Sequence, residues 1–189
     1  MPKHSLIYLD MDGVCCDFFA AATRINGYDP STVFATWAQH HRGEFYLYKV
    51  LGIDSDTFWD HIAEGGETFW RELGEYPWFA HMYGELKKLG RVVFLSASTR
   101  HPSCPAGKLH WLQDRFGTAF NEFIFTSHKD LLAHAGAVLI DDYEPNISAF
   151  QARDGGTILF PRLWNALHHV DTDPGTHVLR RCQQWLRSR

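Results

Sequence analysis

The chain has 189 residues, 45% of them apolar and 21% charged, which fits one globular domain with a real core or one domain carrying a modest insertion. Its net charge of −4 offers no basic field for a nucleic-acid backbone, though a few cations could still hold a small anion. Cys15, Cys16, Cys104 and Cys182 form no CxxC pair and are expected to be free thiols in a reduced cytoplasm. No apolar run approaches the ~18 residues of a membrane span, and no leader is expected ahead of the first strand.

Leu6-Ile7-Tyr8-Leu9 is too short for a helix and suits a buried strand. It runs into Asp10-Met11-Asp12-Gly13-Val14, two carboxylates spaced i, i+2 followed by a glycine able to turn the chain. Asp-x-Asp-Gly alone is also an ordinary turn. In an open α/β sheet, however, ligands bind beyond the carboxyl ends of strands, which places both acids at a site.

Helical patterns follow over 16–26, over 32–41 with Asp29 as cap, over 57–63 after Asp54, and over 67–73. Nothing there alternates with period two. Residues 18–78 are therefore expected to form a helical insertion, with 1–17 and 79–189 forming the core. The insertion is rich in aromatics, most of them needed for its own packing. Phe69, Trp70 and Trp78, near the return to the sheet, are the candidates to stack on a planar ligand, and Phe18 and Ser98 are further candidates for substrate contact.

Beyond the insertion, helices are expected over 81–89, 106–116, 146–153 and 176–187. Strands are expected over 91–95, 123–126, 137–140 and 157–160. This alternation predicts an α/β fold, a Rossmann-like parallel sheet of about five strands flanked by helices. Asn146 reads as a helix cap and Arg100 as an exposed loop residue.

Polar groups follow the apolar strands: Asp10 and Asp12, Ser96 and Ser98, Lys129, Asp141 and Asp142. Carboxylates gathered at one point repel unless a divalent cation lies among them, and hard oxygen ligands with open positions suit Mg²⁺. A hydroxyl and a lysine ammonium can hold phosphate oxygens. One carboxylate can attack phosphorus to form an aspartyl phosphate; a second, two residues on, can protonate the leaving oxygen and then activate water.

With Asp10-Met11-Asp12-Gly13-Val14, Phe94-Leu95-Ser96, Lys129 and Leu139-Ile140-Asp141-Asp142 in this order, the chain resembles the haloacid dehalogenase-like hydrolase superfamily. The resemblance implies Asp10 as nucleophile and Asp12 as general acid/base. It implies Ser96, Ala97 and Lys129 as phosphate ligands, with Lys129 also neutralising charge. Mg²⁺ would be held by Asp10, the Asp12 backbone carbonyl and Asp141, with Asp142 either a ligand or one layer behind. The second aspartate separates the chain from the dehalogenases, and the absence of Asp-Lys-Thr-Gly-Thr separates it from ion-pumping ATPases. An insertion between the first two motifs implies a cap over the site and a small substrate.

Asp17-Phe18, Phe69-Trp70 and Cys104-Pro105 leading to Lys108-x-x-Trp111 are similar to the 5′(3′)-deoxyribonucleotidases. In that family the matching lysine contacts phosphate and cap aromatics stack on the base. Here Ser96-Ala97-Ser98-Thr99 stands in place of a Thr-Ser-Pro-like run and Cys15-Cys16 in place of an aliphatic-small pair. The implied function is a cytoplasmic, Mg²⁺-dependent phosphomonoesterase acting on nucleoside 5′-monophosphates, deoxyribonucleotides first, with no nucleic-acid polymer or membrane as partner. A sugar phosphate, a nucleic-acid 3′-phosphate end and a catalytically silent binding protein stay open as alternatives. So does a homodimer, through cap or core.

Overall fold

A computed structural model describes residues 5–170 and 173–188. The first four residues, expected to hold no leader, lie outside the described residues. In chain order the elements are β1 (Leu6–Leu9), α1 (Phe18–Ile25), α2 (Pro30–His40), α3 (Leu47–Leu51), α4 (Ser55–Glu64), α5 (Gly66–Arg71), α6 (Phe79–Leu89), β2 (Arg91–Ser96), α7 (Ser103–Phe116), β3 (Phe123–Phe125), β4 (Ala137–Asp141), α8 (Glu144–Gln151), β5 (Gly156–Leu159) and α9 (Pro174–Arg187). No helix among the described residues is long and apolar enough to cross a membrane.

The strands form one parallel sheet in the order β3-β2-β1-β4-β5. Side chains alternate across it. Ile7, Leu9, Val92, Phe94, Val138 and Ile140 join the larger apolar cluster, while Tyr8, Val93, Leu95 and Leu139 pack with Phe150 in a second. Both faces are covered, which is why the strands read as unbroken apolar runs. Leu9 pairs with Phe94 on one side and Ile140 on the other. That register sets Asp10 beside Asp141 at the carboxyl edge. The strand order reverses between β1 and β4, where open sheets of this kind bind ligands.

Asp17, Asp29, Asp54 and Asp173 cap α1, α2, α4 and α9, each accepting from a backbone amide in the first turn. Asp17 as cap starts α1 two residues later than its composition suggests. Helix α7 begins at Ser103, ahead of the expected start, because Pro105 falls in the first turn, where its missing N–H removes no helical bond. Helix α3 was not expected: it is five residues long, has no side-chain cap, and closes on Gly52 at φ 69°.

Helix α5 lies directly on α7. A Cβ at Gly107 would stand 2.5 Å from the Glu67 carbonyl oxygen and 2.6 Å from Trp70 Cβ, so only glycine permits this approach. Arg71 forks onto Asp114 at 2.8 and 3.0 Å, and Arg115 meets Glu75 at 2.6 Å. Such exposed pairs contribute about 0–1 kcal/mol each, so close packing does most to hold the seam. Gly107→Ala is expected to cost about 1–3 kcal/mol in a denaturant titration, since the opposing backbone has nowhere to go. An unchanged midpoint would show the seam to be compliant.

Candidate active site

At the end of β1 the amide of Asp10 still donates to Ile140 O at 3.0 Å, and the chain then folds back on itself. The amides of Val14, Cys15 and Cys16 all donate to Met11 O, at 3.2, 2.7 and 3.0 Å, with Gly13 at φ 76°. The Cys15 thiol donates to Asp10 O at 3.0 Å. This tight loop fixes the backbone that carries both acids.

Lys129 enters from a 3-10 turn, Lys129–Leu132, after β3. Its Nζ lies 2.8 Å from Asp10 Oδ1 and 2.7 Å from Asp141 Oδ2. Its contact with Asp10 is an ion pair at an angle that leaves Oδ1 without a hydrogen bond among the described residues. Asp141 also accepts from the Tyr143 amide at 2.8 Å and from Asn146 Nδ2 at 3.0 Å. Asn146 is thus not the cap of α8. It lies inside the helix and its side chain turns back to the acid. Lys108, buried on α7, donates to Asp12 Oδ2 at 2.6 Å, Ser96 Oγ at 2.9 Å and Ala97 O at 2.6 Å, which uses all three of its protons.

Asp10, Asp141 and Asp142 each bring a carboxylate oxygen within 4.8 Å of the others. Burial pushes Asp10 up to about 7; Asp141 and Asp12 add to the rise while Lys129 opposes it. Burial also lifts Asp142 well above the usual carboxylate range, followed by the charges of Asp141 and Asp10. Burial works against the charge on Lys129, yet Asp10 and Asp141 outweigh it and raise its pKa, so it stays a cation. Lys129 thus contacts two of the three buried carboxylates, Asp10 and Asp141, while Asp142 accepts from the Trp164 indole. Three carboxylate oxygens within 4.8 Å of one another, crowded and buried enough to raise the pKa of Asp10 and Asp142, fit a hard divalent cation held by oxygen.

Asp10, Asp12, Ser96, Ala97, Ser98, Lys108, Lys129 and Asp142 come together with Phe18 and Trp70 around one cavity of about 1010 Å³; Asp141 lies fully buried beneath it. Ser98 Oγ is buried there with no hydrogen-bond partner among the described residues. Arg100 reaches the same cavity. Phe69 and Trp78 do not line it. Phe69 packs edge-on against Phe18 and Trp70, and Trp78 donates to Val14 O at 2.9 Å while stacking on Tyr76. Phe45, Tyr46 and Trp59 line the cavity, a role the sequence reading did not single out. The sequence reading also passed over Trp164 and Asn165, which hold Asp142 from the loop after β5. The strand-end rule, extended to the fifth strand, would have pointed to that loop.

This fold is that of haloacid dehalogenase-like hydrolases. A putative haloacid dehalogenase-like hydrolase from Burkholderia xenovorans LB400 superposes with TM-score 0.55 at 14% identity, covering 97% of this chain and 99% of that one. A hydrolase from Streptococcus pneumoniae TIGR4 gives 0.53 at 13% identity over 89% and 99%. The putative HAD-hydrolase YfnB from Bacillus subtilis, solved bound to magnesium, gives 0.53 at 14% over 84% and 87%. Residues 4–185 match the family described as 5′ nucleotidase, deoxy (pyrimidine), cytosolic type C protein, and the chain belongs to that family. It is an enzyme of the phosphatase class, a 5′-nucleotidase by family. No curated protein sequence matches it.

Proposed function

We propose that the chain is a Mg²⁺-dependent phosphomonoesterase that dephosphorylates nucleoside 5′-monophosphates, deoxyribonucleotides first, through an aspartyl phosphate on Asp10. One observation carries this reading. The two acids of the first motif share a cavity of about 1010 Å³ with the aromatic side chains Phe18, Phe45, Trp59 and Trp70. A bare phosphate needs no such volume, whereas a nucleoside does; small-molecule sites run to roughly 300–1000 Å³. Residues 18–78 would act as the cap, and the enzyme would work in the cytoplasm.

In the first step a bond forms from Asp10 to phosphorus as the bond to the 5′ oxygen breaks, and Asp12 gives that oxygen a proton. Water then attacks the aspartyl phosphate with Asp12 as base, releasing phosphate and restoring Asp10. Lys129 keeps Asp10 aimed from below. Lys108 has no free donor, so the substrate phosphate must displace one of its acceptors. Exchanging Asp12 is the productive choice, because the freed carboxylate can then take up a proton and face the leaving oxygen. Asp10, Asp141 and Asp142 would hold Mg²⁺, which supplies neutralisation of the phosphate charge.

The test is phosphate release across ribo- and deoxyribonucleoside monophosphates, sugar phosphates and a 3′-phosphorylated oligonucleotide. Deoxyribonucleoside 5′-monophosphates should lead. Trp59 is partly exposed and lines the cavity. Trp59→Ala should raise KM for nucleotides by roughly 5- to 150-fold, the worth of one base–aromatic stack, while sparing p-nitrophenyl phosphate. A sugar-phosphate preference would keep the reacting residues and discard the nucleoside.

A further inference from the structure

We infer that Trp164 is a positioning residue for the metal site: its indole N–H fixes the Asp142 carboxylate so that the other oxygen faces the cation. The inference rests on the Mg²⁺ reading above and goes beyond it, to a side chain outside the superfamily motifs.

Asp142 is 2% exposed and its carboxylate lies near two others. Like charges would rotate a free side chain away from such a cluster. Trp164 Nε1 donates to Asp142 Oδ2 at 2.7 Å, and a buried bond of this kind is directional and strengthens once a bound cation keeps the carboxylate ionised. Gly13 makes room for this arrangement. A Cβ there would fall 2.1 Å from Asp142 Oδ2 and 3.1 Å from Trp164 Cζ2. The glycine of the first motif thus serves the fourth motif as well as its own turn.

The backbone is held by the next residue. Asn165 Nδ2 donates to Asp142 O at 2.9 Å and to Phe160 O at 2.8 Å, tying the end of β4 to the end of β5. Asn165 Oδ1 accepts from the amides of Leu167 at 3.0 Å and Arg162 at 3.3 Å, so the amide is fully used.

The indole is itself immobile. It stacks on Phe19 of α1 at 3.7 Å and 30°, and lies 5.4 Å from the ring of Trp37 of α2. The Arg162 guanidinium lies 4.4 Å from its ring and donates to Tyr76 OH, which donates to Asp17, the cap of α1. The first two helices of the insertion therefore brace the carboxylate through Trp164. A side chain that only filled the core would need the rings but not the N–H.

The experiment is calorimetric titration of the full-length protein with MgCl₂ in the absence of substrate, for wild type, Trp164→Phe, Asp142→Asn and the double variant. Phenylalanine keeps an aromatic ring against Phe19 and removes the donor. Mg²⁺ affinity should fall about 10- to 100-fold in Trp164→Phe, the usual effect of losing a partner of a metal ligand. In the Asp142→Asn background the same change should add little, because the effect runs through that carboxylate. Independently of any variant, the ¹⁵N-indole resonance of Trp164 should shift on Mg²⁺ addition with the calorimetric midpoint. Unchanged affinity in a folded Trp164→Phe, full additivity in the double variant, or a silent indole resonance would each overturn the inference while leaving the phosphatase reading in place. A wild-type protein that binds no Mg²⁺ would overturn the inference together with the metal reading.

Discussion

Asp10→Asn should abolish phosphate release, lowering turnover by roughly 10⁴-fold or more on every phosphomonoester, because no other carboxylate is placed to replace the attacking oxygen. Asp141 is fully buried beneath the cavity and tied by Lys129, Tyr143 and Asn146. Asp12 is held by Lys108 until substrate displaces it and is then taken up with the leaving oxygen, and Asp142 is tied by Trp164. The variant should nonetheless be folded. Burial holds the Asp10 pKa up at about 7 against an ordinary 3.8. A carboxyl group shifted upward weakens the fold progressively as pH rises between those two values, and keeps that penalty above them. Asparagine has nearly the same shape and does not ionise. With chelator present at pH 8, Asp10→Asn should therefore melt no lower than wild type. Turnover retained within tenfold would move the nucleophile elsewhere. A collapsed melting temperature would mean that the Lys129 ion pair outweighs the burial penalty.

Lys129→Met should be the most destabilising single change in the site. Lys129 is 2% exposed and touches both Asp10 and Asp141. Its removal leaves buried negative charge with no contacting cation, and breaking a buried pair in this way costs about 3–5 kcal/mol. The loss should appear in chemical denaturation with chelator present. Mg²⁺ should restore part of it by binding only the folded state. Asp10→Asn in the same chain should also restore part, by removing one of the stranded charges. Stability within about 1 kcal/mol of wild type would mean that the carboxylates are neutral in the folded protein.

Much of this was legible in the sequence, for reasons that differ by residue. The strands are short apolar runs closed by polar groups, a pattern set by burial on both faces, and all five appear where that pattern places them. Helices announced themselves through Asp29 and Asp54, whose side chains cap locally. Helix α3 carries no such signal: Tyr46 precedes it without capping, and its five residues are held by Leu47 and Leu51 facing the core. Asp10, Asp12, Ser96, Lys129 and Asp141 were legible because strand ends and the loops that follow them converge in a parallel sheet.

The aromatics behaved differently. Phe69 and Trp70 are neighbours in sequence with the same chemistry, yet Trp70 faces the cavity and Phe69 packs behind it. The choice depends on how α5 rolls onto α7 over Gly107, a contact between segments about forty residues apart. Trp78 was claimed by the Val14 carbonyl, and Trp164 by a carboxylate twenty-two positions away. By itself the sequence determined the order of the strands' polar ends, and with it the groups that meet at the carboxyl edge of the sheet, because strand direction and period follow from local pattern. The tertiary structure alone decided which rings face the cavity and what steadies Asp142, because each depends on distant segments meeting at ångström range.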